Sequence, residues 1–123
     1  MPNNKWQTLQ NFFSSFGWTA YDENTVPDDA ALPYLTYEAA VDRMETTVYL
    51  SATLWDRSTS WKSVSDKADE IAATLGPGGS TLRFDDGLLY IVQGSPFAQR
   101  GNDDDDTIRR MDLNFTAEFI SAN

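Results

Sequence analysis

The sequence predicts an α+β fold: one domain in which two helices lie on one face of a mostly antiparallel sheet, in the order α-β-β-α-β-β-β. Three observations support this prediction. Apolar side chains alternate with other residues along 46–55, which gives a strand one apolar face. The apolar period then changes to three and four residues over 61–75, as in an amphipathic helix. A second alternating run at 109–120 predicts the last strand of the sheet.

Composition narrows the possible functions. The chain has 123 residues, with no cysteine and no histidine. This length fits one domain, 1–123, that can bury a core without disulfide or metal staples. The missing residue types exclude a disulfide framework and thiol chemistry, and they remove the commonest general base and transition-metal ligand. No apolar run approaches the roughly 20 residues that a membrane span requires, so we expect no membrane partner and a cytosolic site of synthesis.

The formal net charge is −10, which is large for a chain of this size. Non-specific affinity for nucleic acid comes from lysine and arginine side chains that neutralise phosphates. The charge therefore predicts a protein that does not bind DNA non-specifically, although high solubility is a sufficient explanation for it.

A first helix is predicted over 4–17, because Trp6, Leu9, Phe13 and Phe16 recur at helical spacing and Phe12 widens the stripe. The amides of Asn3 or Asn4 could cap its start, and Gly17 suits its end. We expect this aromatic stripe to dock on the sheet. The alternative is that the stripe takes part in a contact between subunits.

Residues 18–33 are predicted to be an extended connector, because Pro27 and Pro33 disfavour helix. The only strand-like piece within it is a short one at 18–21. A strand is predicted at 34–41, close enough to the strand at 46–55 to form an antiparallel hairpin.

The second helix is predicted at 61–75, with Ser58, Thr59 or Ser60 as its N-cap and Gly76-Pro77 at its end. Strands at 81–84 and 88–92 flank Asp85-Asp86-Gly87, a good hairpin turn. Residues 88–92 are apolar at every position, so we expect both faces of that strand to be covered, one by helices and the other by a loop, another subunit or both. The segment 94–99 is expected to break the strand.

The acidic run of Asp103, Asp104, Asp105 and Asp106 is the most conspicuous local feature. Carboxylates suit Ca²⁺ or Mg²⁺, but known loop sites alternate their ligands around a glycine, and four adjacent aspartates cannot all face one ion. We therefore favour a solvated loop over a metal site or a charged recognition surface. No enzyme signature, cofactor site or metal site is predicted, because nothing in the sequence fixes a carboxylate pair or a nucleophile in a pocket.

Residues 30–121 resemble the small tail-terminator (tail-completion) proteins of long-tailed phages, which are often described as minor tail or minor capsid proteins. The first similar segment is the proline-started strand at 32–38. The second is Trp55-Asp56-Arg57-Ser58-Thr59-Ser60-Trp61 followed by the helix containing Ala68-Asp69-Glu70-Ile71. The third combines 94–99, an acidic loop, Ile108-Arg109-Arg110 and the strand around 115–119. These residues are structural, so the resemblance rests on their common order. The run of four aspartates departs from the family, whose loop here is acidic but varied.

The resemblance implies a structural protein of the virion, placed in the tail or neck and assembled in the host cytoplasm. Its ring, a homohexamer, would bind the last ring of the tail tube protein, stop polymerisation and present its other face to head-completion and neck proteins. DNA would pass through the lumen without specific binding. The candidate ring or partner interface is Trp55, Asp56, Arg57, Pro96, Phe97, Arg109 and Arg110. The acidic loop of Asp103 to Asp106 is the candidate lumen or solvated loop.

Two other interpretations stay open. A head-completion (stopper) protein or a tail-tube subunit would belong to the same virion, and a tube subunit would polymerise alone. A small acidic binding module could share the fold without sharing the function.

Overall fold

Two helices and six strands follow one another in the order α-β-β-β-α-β-β-β within the part of the chain that is described. The computed structural model describes residues 5–41, 47–85 and 87–121. The predicted α+β class, with both helices packed on one face of a mostly antiparallel sheet, is confirmed. The elements are α1 (Lys5–Ser14), β1 (Thr19–Asp22), β2 (Tyr34–Val41), β3 (Thr47–Arg57), α2 (Lys62–Leu75), β4 (Ser80–Phe84), β5 (Gly87–Gly101) and β6 (Ile108–Ser121).

The strands form one sheet in the order β1-β2-β3-β6-β5-β4. β1 pairs with β2 in parallel, and the other neighbouring strands pair antiparallel. β1 corresponds to the short strand-like piece at 18–21 within the predicted connector, although the predicted element order does not count it as a strand. Its four residues are too few for alternation to stand out, but Ala20 is buried and Tyr21 lies on the opposite face.

Helix α1 contacts both edge strands of the sheet, β1 and β4. The side-chain amide of Gln10 donates to the carbonyl of Ala20 on β1 at 3.0 Å. The hydroxyl of Thr8 donates to the carbonyl of Arg83 on β4 at 3.4 Å. Unpaired groups on edge strands invite pairing with other chains. Side chains of α1 therefore cap part of both edges.

The core lies between the helices and one face of the sheet. Phe13 of α1 is fully buried; its ring stacks on Tyr37 at 4.8 Å between centroids and meets Phe115 edge-on at 5.7 Å. Of the apolar stripe that the sequence predicts for the second helix, Val64, Ala68, Ile71 and Leu75 are buried, whereas Trp61 and Ala72 are half-buried. The sheet contributes the alternate positions Leu35, Leu50, Ala52, Leu54, Leu89, Ile91, Met111, Leu113, Phe115 and Ala117.

The prediction that 94–99 breaks the strand is wrong, because strand β5 continues to Gly101. Its register against β6 shifts between Gln93 and Ala98, so the extra residues form a bulge. A Cβ on Gly94 would lie 2.8 Å from the carbonyl oxygen of Asn114, so the two backbones approach too closely for any larger residue. A glycine and a proline inside a strand mark this kind of bulge, which the prediction took for an end.

The apolar stripe of α1 and the N-cap of α2 differ from the prediction. Trp6 is 49% exposed, whereas Thr8 is buried, so the stripe of α1 begins one turn later than expected. In α2 the N-cap position is Trp61, which makes no side-chain cap, although the hydroxyl of Ser60 accepts the amide of Lys62. The proposed caps Asn3 and Asn4 lie outside the described residues. Within the described ranges, no helix is long and apolar enough to cross a membrane.

Residues 88–92 are covered on one face and half-covered on the other. Leu89 and Ile91 are fully buried in the core. On the other face, the hydroxyl of Tyr90 donates to the carbonyl of Gly78, and Gly79 approaches Val92 so closely that a Cβ on Gly79 would clash with the Val92 side chain. The loop after α2 therefore supplies part of the predicted cover.

Candidate functional site

Five of the seven predicted interface residues lie together where the two central strands meet, at the end of β3 and the start of β6. In the antiparallel pairing of β3 with β6, Trp55 is opposite Arg110, and Asp56 is opposite Arg109. Arg57 follows, opposite Ile108. We call these five residues the β3–β6 corner. Because a strand alternates its faces, Asp56 and Arg109 lie on the helix-covered face, whereas Trp55 and Arg110 lie on the open face.

On the helix-covered face, Arg109 ties three segments together. Its guanidinium donates to the carbonyl of Thr59 at 3.0 Å and to that of Asp106 at 2.9 Å, and it lies 5.3 Å from the centroid of Trp61. Its Nε is buried and, within the described residues, has no hydrogen-bond partner. Beside it, the carboxylate of Asp56 accepts the hydroxyl of Ser63 at 2.5 Å. Arg109 and Asp56 thus hold α2 and the acidic loop on the sheet.

On the open face, aromatic rings form a row across three strands. The rings of Tyr21 and Tyr34 lie 5.6 Å apart, and those of Tyr34 and Trp55 lie 6.3 Å apart. The indole N–H of Trp55 donates to the hydroxyl of Thr36 at 3.1 Å. The guanidinium of Arg110 lies 5.4 Å from the Trp55 ring and extends the row to a fourth strand. We call Tyr21, Tyr34, Trp55 and Arg110 the aromatic row.

Arg110 is neutralised within the chain. It binds the carboxylate of Asp112 through two nitrogens, at 2.9 and 3.2 Å. Its pKa is raised above the ordinary value, mainly by this hydrogen-bonded carboxylate. Asp112 also accepts the hydroxyl of Thr53 at 3.2 Å. The open face of the corner therefore presents half-buried rings rather than a free positive charge.

The acidic loop is shaped by hydrogen bonds to its own backbone. One carboxylate oxygen of Asp105 accepts both the amide and the hydroxyl of Thr107, at 2.8 and 2.7 Å. These bonds to Thr107 are the main reason that the pKa of Asp105 lies below its ordinary value. Asp103 accepts the amide of Asp105, and Arg57 pairs with Asp105 at 3.5 Å. In the described ranges, no three His, Cys, Asp or Glu side chains are grouped to hold a metal ion.

Pro96 and Phe97 lie away from the corner, in the bulge of β5. Phe97 turns toward the core, where its ring meets Phe115 edge-on at 5.4 Å. Pro96 is exposed, and its carbonyl accepts the side-chain amide of Asn114 at 3.2 Å. The predicted interface residues therefore separate into the β3–β6 corner and this bulge.

The aromatic row includes two residues that the sequence reasoning missed, Tyr21 and Tyr34. Tyr34 could have been found from strand pairing, since it lies opposite Trp55 in the β2–β3 hairpin. Strand pairing could not have identified Tyr21, because the parallel pairing of β1 with β2 was not expected.

The described surface also includes a depression of about 470 Å³ between α2 and β5. It is lined by Ala72, Ala73, Gly76, Pro77, Val92 and Gln93, so no titratable side chain lines it.

Comparison with known proteins finds a structural likeness only. No family model and no curated protein matches the chain. A solved structure described as the virion of a native gene transfer agent particle contains a chain of similar fold, with a TM-score of 0.65 and 17% sequence identity. The match covers 93% of this chain and 90% of that one. At this identity the likeness shows a shared fold.

Proposed function

We propose that this chain is a structural protein of a phage-like virion and, within the virion, its tail terminator. In this role a ring of subunits, a hexamer by family resemblance, closes the head-proximal end of the tail tube and joins it to the neck. The observation that carries the virion role is the fold shared with a virion chain over nearly the whole of both chains. The finer role is supported by the ordered sequence resemblance, whose central segment runs from Trp55 to Trp61.

The described surface is compatible with a ring subunit. Heterologous contacts in a ring need two different surfaces on each subunit. The sheet face opposite the helices is open, and Tyr49 and Ile120 on it are 63% and 47% exposed. The β3–β6 corner and the acidic loop form a second, polar surface at the end of β3 and the start of β6. Tail tube protein and neck proteins would occupy such surfaces in the assembled tail.

We propose a structural rather than a catalytic role, with no cofactor. The sequence has no histidine or cysteine, and the depression beside α2 has no titratable lining. The β3–β6 corner uses its charged groups to hold its own segments together, as Arg109 and Asp56 do.

Deleting the gene and imaging the particles tests the terminator role. Over-long tails and unattached heads are the expected phenotype, because nothing would stop tube growth or offer a joining surface. Empty, leaking heads with tails of normal length would instead identify a stopper. If the purified chain polymerises alone into tubes, it is a tube subunit and the terminator role is wrong.

The acidic loop is proposed to face the DNA path, where carboxylates offer no partner for phosphates. Replacing Asp103, Asp104, Asp105 and Asp106 by lysine should slow DNA ejection, since the loop would then bind the passing backbone. Replacing the same residues by asparagine is the matched control, because it removes charge without creating phosphate ligands. Unaltered ejection in the lysine variant would remove the loop from the lumen.

A further inference from the structure

A depression of about 350 Å³ lies on the open face of the sheet, near the middle of β2, β3 and β6. Its side-chain walls come from alternate positions of these strands: Glu38, Ala40, Tyr49, Ser51 and Asn114. Because Ala40 and Ser51 carry small side chains, they leave a hollow beside the larger Tyr49. The volume is at the lower end of the range for ligand pockets, so the depression suits one side chain rather than a large ligand.

Two of these walls present groups that the described part of the chain does not use. Tyr49 is 63% exposed, and within the described residues its ring pairs with no other ring and its hydroxyl makes no hydrogen bond. The side-chain nitrogen of Asn114 donates to the carbonyl of Pro96 at 3.2 Å. The side-chain oxygen of Asn114 is therefore left to accept a donor from outside.

Two carboxylates lie on the β1–β2 side of the depression without a cation. Glu23 lies beside Glu38, because its amide donates to the carbonyl of Tyr37 at 2.9 Å and continues the pairing of β1 with β2. Both carboxylates are exposed, and neither forms an ion pair with a described lysine or arginine. Their proximity raises the pKa of Glu23, first through the hydrogen bond shared with Glu38. A cation placed here would be attracted by both carboxylates.

The same face shows how a ring and a carboxylate hold a cation together. The guanidinium of Arg110 lies 5.4 Å from the centroid of the Trp55 ring. It also binds the two carboxylate oxygens of Asp112, at 2.9 and 3.2 Å. The depression offers a second ring and a second carboxylate, Tyr49 and Glu38, but no described guanidinium occupies it.

We propose that the depression receives an arginine side chain from a basic segment of a partner protein. The guanidinium would stack on the Tyr49 ring, pair with Glu38 and donate to the side-chain oxygen of Asn114. Arginine suits these groups better than lysine, because its planar head combines stacking with paired hydrogen bonds. The proposal rests on the virion role above, which supplies partner proteins, and it names the chemistry that one of them presents.

Charge favours a partner protein over the other possible occupants. Two copies of a chain with a formal net charge of −10 repel each other, whereas a basic segment is attracted. Nucleic acid is disfavoured, because Glu23 and Glu38 repel phosphates. Arginine and aromatic rings are also enriched where protein interfaces carry most of their binding energy.

A short peptide tests the site. The probe is acetylated and amidated Gly-Ser-Arg-Ser-Gly, titrated to millimolar concentration into the isotopically labelled chain and followed by NMR. Amide shifts should concentrate at Ala40, Tyr49, Ser51 and Asn114. Tyr49→Ala and Glu38→Gln should each weaken the affinity about three- to fivefold, the usual loss for an exposed cation–π contact or ion pair. The same peptide with lysine in place of arginine should bind more weakly.

Two control variants separate the site from general charge attraction and from lost packing. Asp69→Asn removes one exposed negative charge from α2, on the other side of the sheet, and should leave the affinity unchanged. Tyr49→Phe keeps the ring and should bind as the unaltered chain does. The NMR spectrum of each variant also reports whether its fold is intact.

The opposite results would overturn the proposal. These are no shift at millimolar peptide, shifts scattered over the acidic loop instead of the depression, or an equal loss of affinity in Asp69→Asn and Glu38→Gln. If Tyr49→Ala instead dissociates an oligomer of the purified chain, the occupant is a second copy and the partner-protein proposal is wrong. The particles of the gene deletion decide the terminator role separately, since peptide binding needs no tail.

Discussion

At the residue scale, Lys67 shows how a side chain on the polar face of a helix can become structural. Its ammonium group donates to the carbonyl of Phe16 at 2.7 Å and to Glu70 at 3.1 Å, and it lies 5.5 Å from the Trp18 ring. Only 15% of the side chain is exposed. Lys67 thus ties α2 to the turn between α1 and β1.

Replacing Lys67 by methionine keeps the length of the side chain but leaves the Phe16 carbonyl without this donor. We expect the free energy of unfolding to fall by about 1–2 kcal/mol, the usual cost of losing a charged hydrogen bond to a partly buried group. Lys62→Met is the matched control, because Lys62 is 79% exposed and its ammonium group pairs with Asp66, another exposed residue on the same helix. Urea unfolding of the two variants compares them, and equal losses would contradict a special role for Lys67.

Glu23 supplies a test of pH dependence. Its pKa is raised above the ordinary 4.5, mainly by the hydrogen bond shared with Glu38. A raised pKa means that protonated Glu23 favours the folded state below pH 4.5, and that this contribution is lost as pH rises through the folded-state pKa. Glu23→Gln should therefore raise Tm at pH 7 and change it little at pH 4.

The expected gain at pH 7 is small, about 0.5 kcal/mol or less, because Glu23 is exposed and solvent screens its charge. Asp29→Asn controls for the loss of one negative charge. A Tm difference of the same size at both pH values would mean that crowding with Glu38 is not the cause.

At the element scale, the β5 bulge depends on a close approach of two backbones. Gly94→Ala would push a methyl group against the carbonyl of Asn114, which belongs to β6 and cannot swing aside as a side chain could. We expect a loss of about 1–3 kcal/mol in the free energy of unfolding, as for other overpacked sites. Gly78→Ala is the control, since its Cβ would meet nothing within 4 Å. Equal thermal stability of the two variants would contradict the tight bulge.

The positions of strands were predictable where apolar and polar residues alternate clearly along the sequence. The register between neighbouring strands was not predictable. The bounds of β2, Tyr34–Val41, match the prediction, and the alternation of β6 places Met111 and Leu113 in the core. The predicted hairpin loop at 42–45 would have put Tyr34 opposite Thr53, whereas Tyr34 lies opposite Trp55. The polarity pattern tolerates a shift of two residues, because such a shift keeps every side chain on its own face.

The candidate site was predicted in part for the same reason. Trp55, Asp56 and Arg57 were predicted as interface residues because they lie at the end of a predicted strand. Their neighbours Arg109 and Arg110 were predicted from the sequence resemblance. The inward turn of Phe97 and the capping of edge strands by Gln10 and Thr8 depend on contacts distant in sequence. Local periodicity carries no information about those contacts.

At the scale of the whole molecule, the protein is a six-stranded sheet with one open face and a formal net charge of −10. The helices close the other face, so the surfaces left for partners include the open face and the β3–β6 corner. A ring of identical subunits needs two different contact surfaces on each subunit, and negative charge suits a ring through which DNA passes.

The decisive measurement for the proposed terminator role is the growth of the tail tube in the presence of this chain. Purified tail tube protein from the same virion would be polymerised with and without the chain, and tube lengths would be measured by electron microscopy. If the chain is a tail terminator, adding it in stoichiometric amount should shorten the tubes, and a ring should cap one end of each tube. Tubes of unchanged length with no chain at their ends, or chain incorporated along their whole length, would contradict it.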